Sequence, residues 1–308
     1  MLDIFQKTIL KKVSFKGVGL HNGVKTEIKI IPAIENYGIV FKRVDLDRDN
    51  IIKANFKNVS SAKLCTTLQN KFKASVSTVE HLLAALYITG IDNALIEINS
   101  SEVPIMDGSS KEFVEAIVNV GVKSLNAKRK YLKITKKFEL KENEKEISIE
   151  PSNNSLKVEF QLVYSNTLIG TQSNHIDFAD RDLTNVYTSR TFCLYEDIEK
   201  IKKIGLAKGG SLENAVVVKD EKILNIEGLR NNKEFVNHKI LDLAGDFLLS
   251  GHRIIGSVKC TQGGHSLSNS FLRAIMKEQS NYVIVEREEA TSKNDYFKTT
   301  INKLAVNA

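Results

Sequence analysis

Short strand-like segments alternate with a few longer helical segments along this chain, and this pattern constrains the fold most. The polar stretch Ser124–Lys130 divides the pattern and is predicted to be a linker. Each half contains several strands and two helices, which indicates an α+β fold of two domains, residues 1–126 and 131–308. The predicted strands are Lys7–Phe15, Lys25–Ile31, Ile51–Ala54 and Asn93–Ile98 before the linker, and Tyr131–Phe138, Glu146–Glu150, Lys157–Leu162 and Ala215–Val218 after it.

Two helices are predicted in each half from the spacing of apolar residues. They are Ser77 to about Gly90, Ser110–Val120, Glu196–Lys203 and Glu234 to about Ser250. Gly251 is placed to end the last of them, because glycine readily adopts the left-handed conformation that commonly follows a helix.

The composition is that of an ordinary soluble globular protein. The 308 residues are 42% hydrophobic and 26% charged, and no apolar run approaches the roughly 18 residues of a membrane span. The N-terminal residues lack the charged start and apolar core of a signal peptide. Cys65, Cys193 and Cys260 are odd in number and lack metal-site spacing, which fits a reducing cytosol. We therefore expect a cytoplasmic protein.

The net charge of +7 is compatible with nucleic acid, an anionic membrane surface or a phosphorylated substrate as partner. No basic helix, RNA-binding aromatic motif or Cys/His finger accompanies the charge, so nucleic acid is disfavoured. The lysines are spread along the chain, which is mostly the pattern of a solvated surface.

His238 and Asp242 lie four residues apart on a predicted helix, so both project from one face. An imidazole and a carboxylate one turn apart suit a divalent metal of the zinc type, given a third ligand from elsewhere. The same pair also occurs as a surface hydrogen bond, and the spacing alone leaves both interpretations open.

The segment Ser77–His81 supports two interpretations of Glu80. Ser77 and Glu80 have the spacing of a capping box, in which both side chains satisfy backbone N–H groups of the first helical turn. Alternatively, His81 is the third metal ligand and Glu80 is the adjacent general base.

Gly263–His265 is a third candidate segment. Two glycines let the backbone approach a ligand closely, and His265 there is a candidate proton donor. An ordinary turn histidine is the alternative.

These segments belong to a longer series of motifs: Ser77–His81, Ser189–Phe192, Gly205–Ser211, His238–Asp242 and Gly264–His265, with further matches at Gly17–Gly23 and Pro104–Ser109. In this order they resemble the UDP-3-O-acyl-N-acetylglucosamine deacetylases, zinc enzymes of bacterial lipid A synthesis. The resemblance runs from about residue 7 to beyond residue 275. It implies two similar domains, each a β-sheet with two helices, and the helices sandwiched between the sheets.

The resemblance implies that His81, His238 and Asp242 bind Zn²⁺, with water as the fourth ligand. The metal-bound water would attack the acetamido group of the substrate, while Glu80 accepts its proton as general base.

It also implies three further catalytic roles. Thr191 would donate a hydrogen bond to the developing oxyanion. Protonated His265 would act as the acid that gives a proton to the leaving amine. Asp246, one turn beyond Asp242, would orient His265 and favour its imidazolium form.

Substrate-binding residues follow from the same resemblance. Phe192 matches an aromatic residue that packs on the sugar, and Lys239 matches a basic residue near the phosphates. Asp197 would face the nucleotide, although an acid early in a helix also favours the helix dipole. The candidates for an apolar acyl passage are Leu20, Ile198, Ala207, Ser211, Ala215 and Val217, and Gly210 is a further substrate-binding candidate. A stripe of aliphatic residues is also the pattern of an ordinary core.

Three positions depart from the family pattern. Gln262 stands where the family usually has Lys or Arg, which weakens a phosphate contact unless Lys259 substitutes. Cys193 replaces a glycine beside the sugar-packing aromatic residue. Val163–Leu168 replaces a segment that often contains a histidine, so the resemblance does not assign the residues on the nucleotide side of the pocket.

Two other functions remain to be separated from the deacetylase. A catalytically silent sugar-nucleotide-binding protein would be expected to lose catalytic residues first, whereas this set is complete. A zinc amidohydrolase for another N-acetylated substrate would need no acyl passage. We expect a UDP-sugar lipid precursor as substrate, no nucleic acid, no transmembrane segment and a monomer. The Irving–Williams order favours zinc without excluding iron.

Overall fold

The computed structural model describes residues 3–287 and 298–299. Up to Lys128, the described residues form ten strands and two α-helices. They are β1 (Phe5–Ile9), β2 (Val13–Val18), β3 (Lys25–Pro32), β4 (Ile39–Arg43), β5 (Ile51–Lys53), β6 (Val59–Ser61), β7 (Thr67–Gln69), β8 (Ser75–Val76), α1 (Glu80–Ile88), β9 (Ala94–Ile98), α2 (Lys111–Val120) and β10 (Val122–Lys128).

From Lys130 onward, the described part of the chain forms eleven strands and four α-helices. They are β11 (Lys130–Ile134), β12 (Phe138–Glu142), β13 (Lys145–Glu150), β14 (Leu156–Val163), β15 (Thr171–Asp177), α3 (Thr184–Tyr187), β16 (Phe192–Leu194), α4 (Tyr195–Lys203), β17 (Val216–Lys219), β18 (Lys222–Ile223), α5 (Glu234–Leu248), β19 (Arg253–Thr261), α6 (His265–Lys277), β20 (Tyr282–Glu286) and β21 (Lys298–Thr299). Residues 288–297 and 300–308 of the predicted second domain lie outside the described residues.

The first half is built on a five-stranded sheet of order β2-β3-β9-β4-β5. Strands β3 and β9 pair antiparallel, with Ile28 opposite Ile98 and Ile30 opposite Ile96, and all four side chains are fully buried. The alternation of buried and exposed residues along β3 is the period of two expected of a half-buried strand. Helix α2 packs on this sheet through an edge-to-face contact of Phe113 with Phe15.

The second half is built around β19. This strand pairs parallel with β11 through its first residues and with β14 through its later residues, and it pairs antiparallel with β13. Helix α5 packs on β14, β15 and β19, and α6 packs on β12 and β13. The described apolar side chains of both halves form one contiguous buried cluster rather than two separate cores, with a small satellite at Tyr131, Ile255 and Val285.

Helices α1 and α5 cross in direct backbone contact where the two halves meet. At the crossing, a Cβ atom added to Gly245 would lie 2.1 Å from the carbonyl oxygen of Glu80. Only glycine permits this approach, which brings the first turn of α1 against the middle of α5.

The predicted α+β class is confirmed, and the helices meet between the two main sheets. Two predicted strands are each divided by an exposed, lysine-rich turn, so Lys7–Phe15 becomes β1 and β2, and Tyr131–Phe138 becomes β11 and β12. Charged side chains are solvated there, and the chain turns instead of continuing in one sheet.

The linker predicted at Ser124–Lys130 is wrong. Residues Val122–Lys128 form β10, which pairs antiparallel with β1. Most of the side chains of β10 are exposed, so the stretch is polar without being unstructured. The chain crosses between the halves at Arg129, which is 3% exposed and forms ion pairs with Asp3 and Asp92.

Candidate metal centre and active site

Three metal-ligating side chains converge at the crossing of α1 and α5. His81 is the second residue of α1, and His238 and Asp242 lie one turn apart on α5. One ligand atom from each lies within 4.8 Å of the other two. Asp242 Oδ1 is 3.5 Å from His81 Nε2 and 3.4 Å from His238 Nε2. All three side chains are buried.

His238 is held as a neutral imidazole. Its Nδ1 lies 3.1 Å from the carbonyl oxygen of Ser189, which accepts a hydrogen bond from Nδ1–H. This bond leaves the Nε2 lone pair directed at Asp242, an arrangement common in metal sites. Burial is the main cause that lowers the pKa of His238 to about 3, so its ring is neutral at physiological pH.

Asp242 would provide the anionic ligand of a bound metal. Burial raises the pKa of its carboxyl, but His238, Lys239 and His265 outweigh burial and hold the pKa well below its ordinary value. Oδ2 accepts a hydrogen bond from Lys239 Nζ at 3.1 Å, whereas Oδ1 is buried and has no hydrogen-bond partner among the described residues. A buried carboxylate oxygen that faces two imidazole nitrogens fits a bound divalent cation, so the chemistry of these three side chains suits a metal site.

Glu80 lies beside this cluster and is not part of a capping box. Its Oε2 accepts a hydrogen bond from the backbone N–H of Thr66 at 3.1 Å, and no side chain caps α1. The Ser77 hydroxyl instead donates to the carbonyl of Ser101. The capping interpretation is therefore wrong, because the side chains of Ser77 and Glu80 form hydrogen bonds with residues distant in sequence instead. Burial raises the pKa of Glu80 above its ordinary value, as a general base near neutral pH requires.

His265 faces the cluster from the first position of α6, not from a preceding turn. Its Nδ1 lies 2.9 Å from Asp246 Oδ2, and its Nε2 lies 3.6 Å from Glu80 Oε1. Burial lowers the pKa of His265, but the carboxylates of Asp246, Glu80 and Asp242 outweigh burial and raise the pKa to about 10. The ring is therefore protonated at neutral pH, as an acid requires.

A cavity of about 570 Å³ opens over this cluster. Thr191 and Phe192 line it, as do Glu80, His265 and the three metal-ligating residues. Lys239 also lines the cavity, and its Nζ lies over the Phe192 ring, 5.6 Å from the centroid. Asp246 does not line the cavity and contacts the cavity-lining residue His265 instead.

An apolar cavity of about 410 Å³ shares Leu20, Thr191 and Phe192 with the first cavity. All six residues predicted for an acyl passage line it, namely Leu20, Ile198, Ala207, Ser211, Ala215 and Val217, and Gly210 lines it as well. Asp197 lines neither cavity, and its carboxylate accepts a hydrogen bond from Lys200 at 2.9 Å.

The departures from the family pattern fall around these cavities. Gln262, with φ of +53°, lines the cavity over the cluster, together with Lys63 and Lys145. Lys259 does not line it and forms an exposed ion pair with Glu159 instead. Cys193 lines the apolar cavity, where burial is the main cause that raises the pKa of its thiol to about 11.

The sequence analysis did not assign roles to two residues near the cluster. His21 is 9% exposed and lines both cavities, and neither ring nitrogen has a hydrogen-bond partner in the described part of the chain. The motif Gly17–Gly23 contains His21 and was the available signal. Thr66 hydrogen-bonds to both Glu80 and Asp246, and no sequence pattern marked it.

The α+β fold and the buried His–His–Asp cluster, with a carboxylate and a His–Asp pair beside it, define a metal-dependent hydrolase. The LpxC family model, described as UDP-3-O-acyl N-acetylglycosamine deacetylase, matches residues 6–277. The chain belongs to this family.

Its curated relatives have the same name, UDP-3-O-acyl-N-acetylglucosamine deacetylase. The relative from Geobacter sp. strain M21 is 43% identical over 284 residues, which is 92% of each chain. The relative from Geotalea uraniireducens is 40% identical over 302 residues, 98% of each chain. The relative from Idiomarina loihiensis is 40% identical over 294 residues, 94% of this chain and 96% of its own.

None of the helices in residues 3–287 is both long and apolar enough to span a membrane.

Proposed function

We propose that this protein removes the N-acetyl group from UDP-3-O-(3-hydroxyacyl)-N-acetylglucosamine, an early committed step of lipid A biosynthesis. Family membership supports this reaction. The structural observation that carries it is the junction of two cavities: a metal-ligating cluster with a base and an acid faces one, and an apolar passage adjoins it. Hydrolysis of an amide on an acylated sugar needs both, the cluster for the amide and the apolar passage for the acyl chain.

Zn²⁺ is the proposed metal, held by His81, His238 and Asp242. Two imidazoles and one carboxylate are a ligand set that catalytic zinc sites use. A bound zinc ion supplies Lewis acidity, which polarises an amide carbonyl and lowers the pKa of a water molecule.

Proton transfer is assigned to two side chains that face each other. Glu80 accepts the proton of the attacking water, since its buried carboxyl has a raised pKa. His265 gives a proton from Nε2 to the leaving amine, since Nδ1–H is bound to Asp246. The 3.6 Å distance between Glu80 Oε1 and His265 Nε2 supports this assignment, since a base and an acid must both reach one reacting centre.

Substrate contacts are assigned by position around the cavities. Thr191 donates its hydroxyl to the developing oxyanion, Phe192 packs on the sugar and Lys239 contributes positive charge near the phosphates. Asp197 stays a proposal for the nucleotide side, although its ion pair with Lys200 favours an ordinary helix-surface role. The six acyl-passage candidates that line the apolar cavity hold the acyl chain, and Gly210 is a further substrate contact there.

We also propose the two-domain division at 1–126 and 131–308, a monomer and a cytoplasmic location. The three cysteines are free, which supports a reducing compartment. Sedimentation of the purified protein measures its oligomeric state.

The parent enzyme is expected to turn over UDP-3-O-acyl-N-acetylglucosamine and to lose this activity with a chelator. UDP-N-acetylglucosamine without the acyl chain is expected to be a far poorer substrate. Equal turnover of the two would favour a zinc amidohydrolase for another substrate, and binding without turnover would favour a silent sugar-nucleotide-binding protein.

Ala215→Phe is expected to lower kcat/KM for the long-chain substrate by roughly 10²-fold, because excluding three or four methylene groups costs about 0.8 kcal/mol each. Residual turnover of UDP-N-acetylglucosamine should change little, and a short-chain analogue should lose less than the long-chain substrate. Ala179→Phe, the same change at an exposed position outside both cavities, is the control. Equal losses for all chain lengths would remove this cavity from acyl binding.

Asp246→Asn is expected to move the basic limb of the pH–rate profile down by about 1–3 pH units. His265 works as an acid only while protonated, so activity falls as pH rises through its pKa. The Asp246 carboxylate raises that pKa, and the neutral amide removes the contribution. If the basic limb instead reported an ionisation at the metal site, Asp246→Asn would leave the limb in place. An unchanged limb in both Asp246→Asn and His265→Ala would exclude this pair from the mechanism.

A further inference from the structure

Thr66 joins the general base to the carboxylate that orients the acid. It lies immediately before β7 and is 2% exposed. Its backbone N–H donates to Glu80 Oε2 at 3.1 Å, and its hydroxyl donates to Asp246 Oδ1 at 2.6 Å. One residue therefore contacts both carboxylates with two different donors.

These contacts close a ring of four residues. Asp246 Oδ2 lies 2.9 Å from His265 Nδ1, and His265 Nε2 lies 3.6 Å from Glu80 Oε1. Each carboxylate thus uses one oxygen toward His265 and has the other bound to Thr66. The ring includes two residues from the first half of the chain, Thr66 and Glu80, and two from the second, Asp246 and His265.

Fixing one oxygen of a carboxylate fixes the direction of the other. The terminal torsion of an Asp or Glu side chain is a broad rotor, so packing alone sets the carboxylate plane poorly. A hydrogen bond to one oxygen restricts that rotation, and the second oxygen then presents a defined lone pair to its partner. The 2.6 Å bond from Thr66 is in the range of a strong hydrogen bond to an ionised oxygen.

We propose that Thr66 is a positioning residue that fixes the orientations of the Glu80 and Asp246 carboxylates. It thereby sets the position of the base, Glu80, relative to the acid, His265, across the two halves of the protein. This inference rests on the proposed deacetylase function. Thr66 lines neither cavity, so it acts through the two carboxylates and not on the substrate.

Thr66→Val removes the hydroxyl at nearly constant volume and is expected to lower kcat by roughly 10- to 100-fold, the usual cost of losing a partner of this kind. KM should stay within about threefold and metal content should be unchanged, because the metal ligands and the cavity wall are intact. Thr66→Ser keeps the hydroxyl and is expected to retain most of the turnover. Thr26→Val is the matched control, since Thr26 is 3% exposed, its hydroxyl donates to the Val24 carbonyl, and it belongs neither to the cluster nor to the lining of either cavity.

A double-mutant cycle tests whether Thr66 acts through Asp246. In an Asp246→Asn background, Thr66→Val should cost much less than in the parent. Independent, multiplicative losses would overturn the inference, as would parental kcat in Thr66→Val or a loss expressed mainly in KM or metal content. Should Thr66→Val fail to fold, the difference in kcat between Thr66→Ser and Thr66→Ala isolates the hydroxyl in the same way.

A measurement without substrate separates this inference from the proposed function. The hydrogen-bonded Nδ1 proton of His265, observed by NMR and assigned with His265→Gln, should broaden through exchange with water in Thr66→Val but not in Thr66→Ser or Thr26→Val. An inactive parent protein would refute the deacetylase proposal alone, whereas an unaltered proton signal in Thr66→Val would refute the role of Thr66.

Discussion

Glu80→Gln is expected to keep its metal and its melting temperature while kcat falls roughly 10²- to 10⁴-fold. The amide oxygen of glutamine can still accept the N–H bond from Thr66 that Glu80 Oε2 accepts, so the local structure should survive. An amide cannot take the proton of the attacking water. Because Glu80 is 2% exposed, no solvent-borne base replaces it easily. Turnover, zinc content and thermal unfolding measured on one preparation check the three expectations together.

Glu112→Gln is a matched control, because Glu112 is also an acid in the first turn of a helix but is exposed on α2. It should leave turnover unchanged. Near-normal turnover in Glu80→Gln would refute the general-base role. A loss confined to KM would indicate that Glu80 binds substrate instead.

His238→Ala is expected to reduce bound zinc and turnover together. Losing the Lewis acid forfeits several kcal/mol of transition-state stabilisation, which corresponds to a loss of about 10³-fold or more. The mutation also leaves Asp242 Oδ1 facing a single imidazole in a buried site. His81→Ala should have the same effect, because either histidine alone leaves two ligands. Elemental analysis and turnover measured across added zinc concentrations check this result.

His252→Ala is the control for these ligand substitutions, since His252 is half-buried beyond the far end of α5 and is not part of the cluster. Its zinc content should equal that of the parent protein. Full zinc occupancy in both His81→Ala and His238→Ala would refute the ligand assignment. Loss of folding in either variant would be visible in the unfolding curve, separately from loss of metal.

The sequence predicted α5 and its ligand pair closely, because helical periodicity is a local property. The predicted helix from Glu234 to about Ser250 ends at Leu248 in the structure. His238 and Asp242 project together because residues four apart share a face of any α-helix. The resemblance to a known family then supplied His81, which no local pattern could place beside them.

Local patterns failed where tertiary contacts decided the outcome. Ser77 and Glu80 have the spacing of a capping box, but Ser101 and Thr66 take their hydrogen bonds. Most of the polar stretch at 124–130 belongs to the exposed strand β10, because β1 offers residues up to Lys128 a backbone partner. No sequence pattern marked Thr66 as a functional residue, since a threonine between Cys65 and Thr67 is typical of any strand.

The glycine at the helix crossing has a consequence for the tolerance of the metal site to change. Because the backbone of α5 at Gly245 touches the backbone of α1 at Glu80, the spacing between the helices is fixed by main-chain atoms and not by the ligands. His81 follows the contact on one helix, and Asp242 and Asp246 lie within one turn of it on the other. A position with no side chain therefore sets how closely the three proposed ligands approach one another, and even a single added methyl group there would force the two helices apart.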